Sequence, residues 1–278
     1  MRIGVIMLAA GAAFSANAVQ AAEVEIRDAV ARVTVIPEDR ADIKVEIVKS
    51  HPQLPLQVRV AGDRTVIDGD LDDRIRSCNG RGGKGDVKVR GVGSVDHEDM
   101  PQVVVRTPRA VEISSNSAIS GAVGRSASLK LSNAGCSRWT VADVAGDATI
   151  RESGAGWVRM GASEHLTVHL SGAGGVEAAK VRNGLEANLS GAGGVKIREF
   201  SGAMAANVAG VGKVEVEHGS ATSLKASVAG VGGIEFGGPV DTLDASIAGF
   251  GGVRVQSVKG SVRKSVSGIG KVTIEDRT

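Results

Sequence analysis

Tyrosine is absent from this 278-residue chain, which carries only 2 Trp, 4 Phe, 2 Cys and 6 Pro. With aromatics at 2%, the stacking platforms that bind nucleic-acid bases cannot be built. Neither charge sign dominates, 33 Lys+Arg against 31 Asp+Glu, so nothing draws the chain towards nucleic acid or an anionic membrane. No segment beyond the N-terminal stretch has the roughly 18 consecutive apolar residues of a transmembrane helix, so no transmembrane anchor is expected. What abounds is glycine: 39 residues, about 14%, roughly twice ordinary usage. It has no three-residue period, which excludes collagen. The apolar fraction of 42% suffices for a core, so the chain is not disordered. That core must be made of Val, Ile, Leu and Ala.

Residues 1–21 read as an export signal. Arg2 supplies the positive start, Ile3 to Phe14 form a short apolar run, and small residues up to Ala21 fit a cleavage site. The expected mature protein is exported to the periplasm, or secreted or displayed on the surface of a bacterium. In such a compartment Cys78 and Cys136 read as a disulfide pair. Closing a loop of that length would add roughly 3–4 kcal/mol. Without a CxxC spacing they do not suggest zinc.

From the middle of the chain a pattern recurs: small residue, Gly, variable residue, Gly, Gly or Lys, then Val or Ile. Its first glycine falls at Gly154, Gly172, Gly191, Gly210, Gly230, Gly249 and Gly268. The period is about nineteen residues, a solenoid signal. Weaker copies begin at Val111 and Leu129. Within each copy the apolar period is two, as in Leu166, Val168 and Leu170 or Leu224, Ala226 and Val228, which argues strand and not helix. The expected fold is all-β: a single-stranded, right-handed parallel β-helix of about 19 residues per coil, right-handed because parallel crossovers almost always are. Stacking at about 4.8 Å aligns Leu185/Met204/Leu224/Leu243/Val262 and Leu189/Val208/Val228/Ile247/Val266 as inner columns, with Ala187/Ala206/Ala226/Ala245 where the coil is narrow. Turn glycines are expected at the corner, where positive φ is plausible and a Cβ would clash with neighbouring coils. Lys264 breaks the alanine column and suits a charged guard on a terminal edge. Residues 22–110 repeat less clearly and read as irregular coils plus a cap; residues 111–278 are the regular repeats.

These features together (the export signal, the Val33-Thr34-Val35…Ile43-Lys44-Val45 opening and the iterated Ser-Gly-Ala-Gly-Gly-Val coils) resemble the bacterial "putative auto-transporter adhesin head, GIN domain" family over roughly residues 24–274. The resemblance implies an exported β-helical envelope protein, and it carries no catalytic residues. No outer-membrane barrel pattern follows the repeats.

Reactive constellations are sparse. Gly80, Gly82 and Gly85 fit GxGxxG by spacing, but no strand-to-helix transition surrounds them. His165 and His169 lie about 13 Å apart on a strand and cannot share a metal. The acidic runs at Asp68–Asp73 and Asp96–Asp99 lack cation-ligand spacing and read as solvated loops. No catalytic, cofactor-binding or metal-binding residues are therefore expected. An outward charge column reads Arg159, Glu177, Lys196, Glu215, Glu235, Arg254 and Thr273. Its adjacent carboxylates Glu215 and Glu235 define the alternative reading, a polysaccharide hydrolase or lyase. A second outward column, His169, Asn188, Asn207, Ser227, Ser246 and Ser265, is a polar ladder that could face a ligand. The expected function is non-enzymatic: an adhesin-like envelope or surface protein that binds an envelope protein or glycan, or serves as a structural element.

Overall fold

A computed structural model describes residues 23–79 and 86–276. The export segment and the GxGxxG-spaced loop lie outside the described residues. Apart from one 3-10 turn, Asp72–Arg74, every regular element among the described residues is a β-strand. None is a helix long and apolar enough to cross a membrane.

The alternating pattern produces a parallel β-solenoid of about nine turns, each of about 19 residues, preceded by an irregular N-terminal part. Two long faces run along it. The first stacks β10 (Ala110–Ser115), β12 (Ser128–Asn133) and β14 (Ala148–Glu152). It continues through the C-terminal halves of β15 (Trp157–Leu170), β16 (Gly175–Leu189), β17 (Gly194–Val208) and β18 (Lys213–Val228), then β20 (Leu243–Ile247) and β22 (Val262–Val266). The second stacks β11 (Ala118–Val123), β13 (Arg138–Val141) and the N-terminal halves of β15 to β18. It ends with β19 (Gly233–Val240), β21 (Gly252–Val258) and β23 (Lys271–Asp276). The glycine turn joins the first face to the second in each coil.

Register follows the repeat. Leu185, Met204, Leu224, Leu243 and Val262 pair in sequence, as do Leu189, Val208, Val228, Ile247 and Val266. The alanine column runs Ala187, Ala206, Ala226, Ala245 and then meets Lys264. Except in the terminal coil these side chains are buried in one continuous core. Among the described residues one aromatic pair enters it, Phe200 against Phe236, edge to face at 5.9 Å.

The turn glycines have a different reason from the one expected. Of the seven, only Gly268 adopts positive φ, at 129°. The others are required by close approach: a Cβ on Gly172 would overlap the carbonyl oxygen of Gly154, and one on Gly191 that of Gly172. The corner is a backbone stack in which Ala173 N–H donates to Gly154 (2.9 Å) and Ala192 N–H to Gly172 (3.0 Å).

Below the nine turns the path is irregular. β1 (Glu23–Arg27) pairs with β10 on one side and β5 (Arg64–Asp68) on the other. β2 (Val30–Pro37) lies likewise between β11 and β9 (Gln102–Thr107). The earliest coil is therefore sandwiched between two later levels. Two antiparallel strands finish this end: β3 (Lys44–Lys49) on β9 and β4 (Gln57–Ala61) on β5. A separate three-stranded antiparallel sheet, β6 (Ile75–Asn79), β7 (Asp86–Val89) and β8 (Gly93–Asp96), packs beside the solenoid over its own small core. Cys78 on β6 is bonded to Cys136 in the solenoid, with Cα atoms 6.1 Å apart.

Candidate interaction surface

The third position of each glycine turn is its tip. Along the stack the tips read Ala155, Ala173, Ala192, Val211, Val231, Phe250 and Ile269, and they grow in size towards the C-terminal end. The backbone stack points them at solvent: Val211 is 63% exposed, Val231 55%, Phe250 68% and Ile269 78%. Four large apolar side chains thus stand in a row, spaced by the coil rise of about 4.8 Å. These side chains lie outside the buried core and form an exposed apolar ridge along the stack.

Beside this ridge, on the first face, runs the polar ladder. His169, Asn188, Asn207, Ser227, Ser246 and Ser265 occupy successive paired positions, as the repeat implies. Part of it is self-satisfied: Asn207 Nδ2 donates to Asn188 Oδ1 and Asn188 Nδ2 to Glu186 Oε1, both at 2.9 Å. The serines at the C-terminal end come four residues before the largest tips, with the exposed small residues Ala229, Ala248 and Ser267 between the two rows. The strip therefore combines hydroxyls with apolar tips, and both repeat at the same spacing.

The Glu215–Glu235 pair lies on the second face, in the predicted register. The cation between them is Lys213, whose Nζ lies 2.9 Å from Glu215 and 2.8 Å from Glu235. Lys196 approaches Glu217 at 2.6 Å and Glu215 at 3.7 Å. The Lys213 hydrogen bond holds the Glu215 carboxyl below its ordinary range. A glycosidase acid needs the opposite, a carboxyl kept protonated near neutrality. Elsewhere in the column Arg159 pairs with Glu177 at 3.2 Å and Arg254 with Glu275 at 3.8 Å. These are exposed pairs, each worth at most about 1 kcal/mol.

Besides the tip row, two further features escaped the sequence reading. Trp157 replaces the glycine at the fifth position of its turn and lies half-exposed, its ring over Gly175, where a Cβ would collide with it. It borders a cleft of about 170 Å³ between the β6–β8 sheet and the solenoid, with His97, Met100 and Arg138 on its walls. Its signal was the break in the motif, Trp where later copies have Gly or Lys. The other feature is Glu152, buried at 1% exposure at a position that later coils fill with Leu170 and Leu189. Its Oε1 accepts the N–H groups of Gly154 (3.0 Å) and Gly156 (3.2 Å), and Oε2 accepts Asn133 Nδ2 (2.7 Å). Desolvation still raises its pKa. These hydrogen bonds run to its own turn and the coil below, so it acts as a cap for that corner.

Among the described residues no cluster of His, Cys, Asp and Glu could hold a metal ion.

No family model and no curated protein matches the chain. Among solved structures it resembles a "putative adhesin" from Parabacteroides distasonis ATCC 8503, with a TM-score of 0.61 and 17% identity over 91% of each chain. It is also similar to a "putative lipid binding protein" from the same organism, at a TM-score of 0.39 and 14% identity over 93% of this chain and 92% of that one. At such identities the first likeness speaks for the fold.

Proposed function

We propose that the chain is a non-enzymatic, adhesin-like protein of the bacterial envelope or surface, which binds a glycan or protein through the strip formed by the apolar turn tips and the polar ladder. The observation that carries this reading is the exposed row Val211, Val231, Phe250 and Ile269, which runs along the same coils as the column Ser227, Ser246 and Ser265. A repeating strip lets weak contacts add along a polymer or an extended partner. Export to the periplasm or beyond is supported by the Cys78–Cys136 bond, which belongs to oxidising compartments. Right-handed coiling and membership of the GIN-domain family are part of the same proposal, and the adhesin-named neighbour is consistent with it.

The polysaccharide-cleaving alternative draws no support from its own site, because Lys213 bridges the two carboxylates it needs and holds Glu215 ionised. The test is a glycan array and an envelope pull-down with the purified protein, repeated with a Val231→Ser/Phe250→Ser/Ile269→Ser variant. The expected result is a bound component that the variant loses while its unfolding midpoint stays within a few degrees. Absence of any bound glycan or envelope protein, or equal binding by the variant, would sink the proposal.

A further inference from the structure

The two ends of the solenoid are finished differently. At the N-terminal end both faces close with a reversed strand, β3 on β9 and β4 on β5. At the C-terminal end β22 and β23 each pair on one side only among the described residues. Their outer edges present unpaired N–H and C=O groups, and Val262 and Val266, which continue the buried columns, are 41% and 47% exposed. Such edges recruit another strand unless something blocks them.

The two open strands differ in what they recruit. In an antiparallel pair, directly opposed side chains lie on the same side of the sheet, so inward residues must meet inward residues. β23 reads Lys271-Val272-Thr273-Ile274-Glu275, with Val272 and Ile274 in register with the inward Val253 and Val255. A second copy of β23 turned about a two-fold axis through Thr273 puts Val272 opposite Ile274 on the inner side. On the outer side it puts Lys271 opposite Glu275, and the symmetry makes each pair twice. Hydrophobic side and charges match in one register. β22, Val262-Arg263-Lys264-Ser265-Val266, does the reverse: turned about its centre, it sets Lys264 against Lys264 on the inner side, a like-charge pair that opposes association.

We infer that the C-terminal edge strand is a self-recognition surface, and that two copies of this chain join tail to tail through antiparallel β23–β23 pairing centred on Thr273. The fold already accepts antiparallel strands on its parallel stack at the other end. Same-sense coil-on-coil addition there is blocked, because the outermost strands run in the reverse direction. The contact is therefore isologous and closes at two copies.

Sedimentation velocity of the purified chain from low to high micromolar concentration tests this. A monomer–dimer equilibrium is expected. Lys271→Glu or Glu275→Lys alone should weaken it about tenfold, and the two together should restore it, because the swap recreates both cross-strand pairs. Thr273→Cys should form a covalent dimer on mild oxidation, since directly opposed Cα atoms in such a pair lie about 4.5–5.5 Å apart, within disulfide reach. Ser265→Cys on β22 should not. The inference falls if the wild-type chain is monomeric throughout, if it grows into larger oligomers, if the double swap fails to recover the dimer, or if position 265 cross-links as readily as 273.

Discussion

The lower and upper parts of the solenoid solve the same corner in two ways. In the upper coils the turn is held by backbone alone: glycine carbonyls of one coil accept N–H groups of the next, as Val231 N–H donates to Gly210 and Phe250 N–H to Gly230, both at 3.1 Å. In the lower coils such backbone bonds also run, as from Ala155 N–H to Gly135 at 3.1 Å, and side chains add to them. Ser117 Oγ accepts the Ala29 N–H at 3.1 Å, Ser137 Oγ accepts the Ile119 N–H at 3.0 Å, and Glu152 takes two glycine N–H groups. Ion pairs tie the lowest levels across sequence, with Arg27 and Arg59 both on Asp68 and Arg64 on Glu23 and Glu25. The contrast shows that a corner of stacked backbones can carry added side-chain bonds, each turn in its own way, or rely on the backbone stack without them. Only the second solution repeats.

The largest expected effect comes from breaking a backbone-stacked corner. Gly172→Ala should cost more than about 3 kcal/mol, because the added Cβ meets backbone, which cannot move aside as a side chain would. Gly233→Ala, at the fifth position of a turn, meets only the Gly252 carbonyl oxygen at 3.6 Å and should stay within about 1 kcal/mol. Chemical denaturation of both variants checks the pair; equal losses would mean that close approach is not what selects the turn glycines.

Next comes the lower part. Replacing Cys78 and Cys136 by Ala should lower stability by about 3 kcal/mol. Hydrogen exchange should rise first in β6 to β8, leaving the upper coils protected; a uniform rise would show that the bond supports the whole stack.

Glu152→Gln is expected to be smaller and of opposite sign. Burial raises the Glu152 pKa in the folded chain, so the fold binds more protons than the unfolded chain between the ordinary glutamate pKa and the raised value. Its contribution therefore declines as pH rises through that window. Gln keeps an acceptor for the two glycine N–H groups, and Asn133, whose Oδ1 has no partner, can turn to receive its amide. The variant should be more stable than wild type by about 1 kcal/mol at neutral pH, with a flatter thermal profile from pH 4 to 8. A lower midpoint at pH 8 would contradict this.

The smallest effect belongs to Glu215→Gln. The depressed Glu215 pKa gives stability that is present above the ordinary glutamate pKa and fades as pH falls through the lowered value. At this partly exposed site the loss at pH 7 should be below about 1 kcal/mol. A larger loss would mean that the charge column helps set register.

The upper coils were legible because parallel stacking ties one glycine period to every column. Once Gly172 and Gly191 are aligned, Leu185 must lie on Leu166 and Met204 on Leu185. The lower part was not, since nothing local in Val24 or Val33 tells that β1 and β2 lie between strands that come some 40 to 90 residues later in the chain. The ladder and charge column were readable as columns, yet their partners were not: Lys213 sits at the turn exit, two residues before Glu215, and bridges Glu215 to Glu235. The tip row was visible in the repeats, but alternation says nothing about a turn position. Glu152 was hidden because a carboxylate in a strand reads as outward-facing unless its hydrogen-bond donors, here two turn amides, are known.

The insertion of β1 and β2 between later levels has a consequence for how the molecule is made. In a plain solenoid each new coil is laid on the one before, and growth runs one way. Here the earliest coil has a free edge on both sides until β5 and β9 cover one and β10 and β11 the other. It is a two-sided platform, with later strands laid on both of its edges. The descending branch ends after one level, in reversed strands, and the ascending branch continues for nine turns. Losing β1 would therefore remove the seam between the two branches, a heavier lesion than removing a coil from the upper end.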